Sequence, residues 1–352
     1  MNVVFWAAGD DGSSYYRCTL PAEAMQWEGH QTKVTEVLTP AMCEWADAIV
    51  GSRIANPNAL GLWKRIKEVR TEGTPKLILD LDDAYFSLTE QNPAAGAWNS
   101  AQLDRLAEAI HTSDAVTVAS QALAEHVLQK VHSASSLVPV HTIENGLHAG
   151  WLAAPREYVE PSLERPLTVG WSGTASSAVD FDIVARALGR IVDYGQGTVQ
   201  VRLVGLPLNH PAINTIAQHV PDHLKDMVQG LEWVHHGEPY LSTVHQFDVW
   251  VAPYRSNEFV DAKFPTKALE AGMLGIPLIA SAVRPYREWI EHESTGFKVV
   301  ENAPWMWSRC LKRLVDDPAL RQRIGEAARS RAAQNIMQSL GQSWSGVCKV
   351  DT

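Results

Sequence analysis

Short apolar runs alternate along the chain with amphipathic stretches and polar turns. Residues 2–8 predict a first strand. They end in Gly9-Asp10-Asp11-Gly12-Ser13-Ser14, with a helix from about Tyr15 to Trp27 behind them. Further apolar runs predict strands at Lys33–Val37, Ala48–Gly51, Lys76–Asp80, Ser113–Ser120 and Val138–Ile143. Ser120 is a candidate cap for a helix reaching Val131. A proline-bearing polar stretch, Pro155–Pro166, has no periodicity and predicts a linker. The cycle then restarts with strands at Leu167–Gly170, Val199–Val204, Glu232–Val234, Phe247–Ala252 and Leu278–Ala280, and helices at Ala178–Asp193, 265–273 and 304–333. Strand and helix in alternation predict an α/β chain with two parallel sheets covered by helices. The expected division is 1–153, a linker at 154–166, 167–332, and a last helix within 333–352.

The stretch Phe259–Ser281 carries the strongest candidate chemistry. Pro265 stands at the expected helix start, Thr266 and Lys267 follow, and apolar Ala268, Leu269, Ala271 and Met273 mark one face. Gly275 and Pro277 end the helix. A helix N-terminus offers free N–H groups and partial positive charge to an anion, and Lys263 and Lys267 flank this one. Glu270 lies on the same face, three residues after Lys267. A carboxylate there can accept two ribose hydroxyls while a diphosphate takes the helix end. The plainer alternative is a surface helix with a solvated Lys267–Glu270 pair.

Two glycine loops follow predicted strands. Ser172-Gly173-Thr174 can cradle phosphate with N–H and hydroxyl groups, while the loop holding Gly12, Ser13, Ser14 and Arg17 reads by itself as a tight turn. Both are openings of Rossmann-like halves. Asp80, Asp82 and Asp83 cluster past a strand end, where ligands bind in such sheets. Asp83 is the candidate base or charge stabiliser toward an acceptor hydroxyl. An Asp-x-Asp metal site gripping a diphosphate is the alternative. It fits the repeated strand and helix pattern less well, so no metal is expected. Lys64, Arg65, Lys67 and Arg70 on the helix near Asn58–Glu72 form a solvated face, or else a contact for anionic lipid or an acidic acceptor.

The 352 residues are 45% hydrophobic, enough for two domains. No apolar run approaches the roughly eighteen residues of a spanning helix, and the start lacks a signal-like pattern, so a cytoplasmic protein is expected, with the membrane surface as an alternative. Four scattered cysteines indicate neither a disulfide framework nor a zinc site. A net charge of −10 argues against holding nucleic acid by a general field.

The run Pro265-x-Lys267-x-x-Glu270-x-x-x-x-Gly275-x-Pro277, with an apolar strand and Ser281 behind it, resembles the donor-site signature of GT-B glycosyltransferases. Within them it is most similar to the retaining family four, the glycosyl transferases group 1. The loop from Gly12 to Arg17, Gly29-His30, and Glu144-Asn145-Gly146, similar to a Pro-Asn-Gly, fit the same family. The resemblance implies two Rossmann-like domains around a cleft, acceptor side first and donor side second, with a C-terminal helix crossing back to the first. It implies Glu270 on the ribose, the turn at Val234 and His235 on the nucleobase, and the Gly12–Arg17 loop facing the donor, with Ser13, Ser14 and Arg17 as candidates for phosphate or acceptor contact. The chain departs from the family pattern at Ala262, where a Glu is common and Asp261 is the neighbouring acid, and at Trp171, where relatives carry Arg. The cations must then be Lys263, Lys267 and Arg255.

The implied activity is transfer of a sugar from a UDP- or GDP-sugar to an acceptor hydroxyl, with retention, without metal or bound cofactor. An inactive nucleotide-sugar binding protein and a nucleotide-sugar epimerase are the rivals. The acceptor stays open among a glycan, a lipid-linked sugar, a protein side chain, a small metabolite and a modified base.

Overall fold

The computed structural model describes residues 1–131, 138–174, 177–206 and 210–349. Among these, twelve strands make two parallel six-stranded sheets. The first contains β1 (Asn2–Trp6), β2 (Gln31–Thr35), β3 (Ala48–Ser52), β4 (Lys76–Leu81), β5 (Ala115–Val118) and β6 (Val140–Thr142), in the order β2-β1-β3-β4-β5-β6. The second contains β7 (Leu167–Ser172), β8 (Val199–Val204), β9 (Val228–Leu231), β10 (Val249–Ala252), β11 (Leu278–Ser281) and β12 (Phe297–Val299), in the order β12-β11-β10-β7-β8-β9. Central strands such as β3 and β7 are buried along their whole length, which is why they read as unbroken apolar runs and not as alternating ones.

The strand order reverses direction at β1/β3 in one sheet and at β7/β10 in the other. Ligands in such sheets bind outside the carboxyl ends at the reversal. The expected α/β fold of two Rossmann-like halves is what the chain adopts.

Local differences from the expected elements have local causes. The strand expected at 232–234 is instead β9, because Val228–Leu231 find backbone partners along Val201–Val204 of β8. A three-residue apolar run carries too little pattern to fix that register. The helices expected over 304–333 are Pro304–Asp316 and Pro318–Ala332, divided because a proline ring cannot continue a helix, and Asp317 caps the second through the Leu320 N–H at 2.9 Å. The basic helix Pro57–Val69, with Arg70 as its cap, keeps Lys64 and Arg65 exposed and makes its ion pairs within its own half. Lys64 meets Glu108 at 2.5 Å, and Lys67 and Arg70 converge on Asp114.

Helix packing shapes the second half and ties it to the first. α1 (Thr266–Met273) packs on α2 (Pro318–Ala332) so closely that a Cβ on Gly272 would lie 2.8 Å from the Ala328 carbonyl oxygen. Gly275 ends α1 with φ of 68°, a left-handed conformation that suits glycine. α3 (Met337–Cys348) crosses back to the first half, as expected. There Trp344 meets Phe5 edge-on at 5.6 Å, and the Met337 N–H donates to the Leu147 carbonyl at 2.8 Å. No helix among the described residues is long and apolar enough to cross a membrane.

Candidate active site

The two reversal points open onto one cleft, a cavity of about 420 Å³. The first sheet contributes Asp11, Gly12, Ser13, Arg53, Asp82 and Asp83 to its walls. The second contributes Ser172, Gly173, Thr174 and Tyr254. α1 starts at the same place and presents Thr266, Lys267 and Glu270. Pro265 sits one residue earlier than expected, as the cap of α1, outside the lining.

Glu270 is only 2% exposed. Its Oε1 accepts the Tyr16 hydroxyl at 2.6 Å, and its Oε2 accepts the Tyr240 hydroxyl at 3.1 Å. The second of these is backed by Ser172, whose Oγ lies 2.9 Å from the Tyr240 hydroxyl. Burial pushes the Glu270 carboxyl up to about 7, against the lowering pull of the Tyr16 bond, the Lys267 charge and the Tyr240 bond. A carboxylate this buried holds two hydroxyl donors already, one from each half of the chain. Its geometry therefore suits a pair of hydroxyl groups.

Among the described residues, four cations line the cleft: Arg17, Arg53, Lys263 and Lys267. Three are neutralised by carboxylates. Arg17 is buried against Asp80 at 2.7 Å and also donates to the Ile143 carbonyl and Asn145. Arg53 reaches Asp11 at 2.8 Å and Asp82 at 3.8 Å. Lys263 is ion-paired with Asp83 from the other half of the chain. Lys267 alone has a neutral partner, the Tyr254 hydroxyl at 2.6 Å. Burial would raise the Tyr254 hydroxyl's pKa, but the Lys267 charge and hydrogen bond, the Tyr286 hydrogen bond and the Lys263 charge together outweigh it and the net shift is downward.

The acids on the first sheet differ. Burial would raise Asp82, but Arg53 and the Ser13 and Tyr85 hydroxyls hold it below the ordinary carboxylate value. Burial keeps Asp83 above that value despite Lys263. Asp80 accepts from both Arg17 and Thr117, the latter at 2.7 Å, and stands outside the lining.

Arg17 lines the cleft, with its guanidinium held by Asp80, the Ile143 carbonyl and Asn145. Several expected residues lie elsewhere. Arg255 is held by Asp180 at 3.0 Å and Asp182 at 2.7 Å, outside the lining. Asp261 accepts from Ser256 at 2.6 Å and from the Arg284 N–H at 3.1 Å, also outside. Ser14 is buried behind the loop. At the turn after β9, Val234 lines the cleft while His235 is exposed and faces Asp10. The cleft histidine is His236, stacked on Tyr240 at 4.9 Å and pushed down by burial to about 4.

Tyr16, Arg53, Tyr85, Trp98, Trp233, Tyr240, Tyr254 and Tyr286 line the cleft without having been singled out. Tyr16 had one available signal, its position in the first glycine loop. That loop continues into a π-helical turn, Tyr15–Thr19, and such turns occur often at functional sites.

Residues 172–331 match the family model of the glycosyl transferases group 1. No curated protein matches the sequence. Among solved structures, HepE from Anabaena, solved with UDP-glucose, superposes with a TM-score of 0.70 at 15% identity over 99% of each chain. Sucrose-phosphate synthase from Thermosynechococcus elongatus gives a TM-score of 0.70 at 16% identity, over 98% of this chain and 97% of that one. An α-glucosyltransferase solved with UDP-glucose and DNA containing an abasic site gives 0.67 at 12%, over 99% of this chain and 98% of that one. The fold is GT-B, residues 172–331 carry the group 1 glycosyl transferase domain, and the chain is a glycosyltransferase.

Proposed function

We propose that the protein transfers a sugar from a nucleotide diphosphate-sugar to an acceptor hydroxyl, with α1 as the nucleotide-binding element. The observation that carries this is the pairing, on one helix at a reversal point, of a buried carboxylate set up for two hydroxyls and a cation left free of carboxylates. The ribose hydroxyls take the places of the Tyr16 and Tyr240 hydroxyls on Glu270. The diphosphate meets Lys267, the N-terminus of α1 and the loop Ser172-Gly173-Thr174. A uridine donor is supported by HepE, a similar fold solved with UDP-glucose, and a GDP-sugar is the alternative. Residues 1–153 form the acceptor side and 167–332 the donor side, joined by 154–166, with 333–352 returning to the first. Such a donor suits a cytoplasmic enzyme.

In the step itself, the acceptor oxygen forms a bond to the donor's anomeric carbon as the bond from that carbon to the phosphate oxygen breaks. The electron pair leaves on the nucleotide diphosphate, where Lys267 and the helix end stabilise the added charge more than they stabilise the ground state. The acceptor proton passes to the Asp83 carboxylate, whose raised pKa suits a base. Attack on the face from which the diphosphate leaves gives retention, and no metal is required.

The test is a screen of UDP- and GDP-sugars read by nucleotide release and by product analysis, with Glu270→Ala alongside. Release that depends on Glu270 is expected. An isomerised sugar would point to an epimerase, and binding without turnover to an inactive binding protein.

A further inference from the structure

The acceptor side of the cleft has a chemistry of its own. Tyr85 and Trp98 stack nearly parallel, with ring centroids 4.0 Å apart and planes at 26°, and both line the cavity. Tyr85 is the buried member of this pair, and its hydroxyl donates to Asp82 at 2.5 Å. Trp98 is half-buried, at the seam between a 3-10 turn, Pro93–Ala97, and the helix Ser100–Thr112. Asn99 and Gln102 close a capping box at the start of that helix. The backbone on either side of Trp98 is thus fixed by the turn and the cap, and its ring packs on Tyr85.

Around this aromatic surface stand Asp11, Asp82 and Asp83, and each cation near them is already taken: Arg53 by Asp11 and Asp82, Lys263 by Asp83. Among the described residues, an anionic acceptor entering here would meet three carboxylates and two cations, Arg53 and Lys263, that are already ion-paired. A hydroxylated, uncharged one would find acceptors for its O–H groups and a flat apolar face for its C–H groups.

We propose, resting on the donor reading above, that the acceptor is a neutral saccharide whose ring lies on Trp98 and whose hydroxyls donate to Asp82 and Asp83. Trp98 is a binding residue for the acceptor and takes no part in holding the donor. The hydroxyl facing Asp83 is the one that forms the new bond to the anomeric carbon, losing its proton to that carboxylate as the diphosphate departs with the bonding pair.

The test measures nucleotide release from the accepted donor, alone and with a neutral disaccharide panel, a sugar-phosphate panel, or a single-stranded DNA oligonucleotide. Saturation-transfer NMR of the saccharides without donor is run in parallel. Neutral saccharides should raise release well above donor hydrolysis. Trp98→Ala should raise the acceptor KM roughly tenfold, and Trp98→Phe should recover most of the loss. Stimulation by sugar phosphates or DNA but not by neutral saccharides would overturn the proposal, as would an unaltered acceptor KM in Trp98→Ala. If no nucleotide sugar is turned over, Trp98-dependent saccharide contacts in the NMR experiment would support the acceptor class and sink the donor reading alone. Their absence would sink both.

Discussion

Nucleotide affinity should rise about tenfold between pH 6 and pH 8, and Glu270→Gln should abolish that rise. Burial of Glu270 carries its pKa up to about 7. The carboxyl is then ionised in roughly one molecule in eleven at pH 6 and in ten of eleven at pH 8. Only the ionised form accepts two ribose hydroxyls without a proton in the way. If bound nucleotide returns the group toward its ordinary range, the affinity gain is about 1.4 kcal/mol. The neighbours do not confuse the signal, because Tyr16 and Tyr240 titrate well above this window and His236 near 4.

The same shift has a stability consequence of opposite sense. The folded protein keeps a proton that the unfolded chain releases at its lower, ordinary pKa of 4.5, so stability falls as pH rises from about 4.5 to about 7. The loss is on the order of 3 kcal/mol, and Glu270→Gln should remove it. Calorimetric titration of UDP and GDP from pH 5.5 to 8.5 on both proteins is the assay. The ligand's own phosphate titration is common to both and cancels in the ratio. Equal pH profiles for the two proteins would refute the assignment of Glu270 to the ribose.

Lys267→Met should lower turnover by about 2.7–4 kcal/mol in activation free energy with little change in donor affinity, as loss of a preorganised donor to the leaving group does; near-normal kinetics would put the cation elsewhere. Lys263→Met removes the partner that lowers Asp83, so the acid limb of the turnover profile should move to higher pH, and an unmoved limb would detach Asp83 from the chemistry. Arg17→Met should destabilise the fold by about 3–5 kcal/mol in denaturant titrations, since it strands the buried Asp80. A fully stable variant with lost donor binding would instead return Arg17 to the phosphates. Turnover should survive EDTA, and loss restored by manganese would revive the metal reading of the Asp80-x-Asp82 segment.

The parallel sheets, the glycine loops and the donor helix were legible because each is written in local pattern. Apolar runs at strand length, a proline-led helix start and a glycine stop are properties of neighbouring residues. The carboxylate of Glu270 and the lysine one turn before it could be put on one face by spacing alone. The strand β9 was misjudged by four residues at its start because its identity depends on pairing with β8.

What pattern could not supply is which charges cancel. Lys263 and Asp83 are 180 residues apart, Tyr16 and Glu270 254 apart, and Arg17 and Asp80 63 apart. From composition, Arg17, Arg255, Lys263 and Lys267 were equivalent cations. Tertiary packing, within one half for Arg17 and Arg255 and between the halves for Lys263, gave three of them carboxylate partners and left Lys267 with the Tyr254 hydroxyl. It also brought Tyr85 against Trp98 and buried Glu270 deeply enough to move its pKa. Local sequence dictates backbone form because neighbours share dihedral and capping preferences. Ion pairing, burial and stacking depend on distances through space, so the identity of the free cation and the character of the acceptor wall were decided by the tertiary structure.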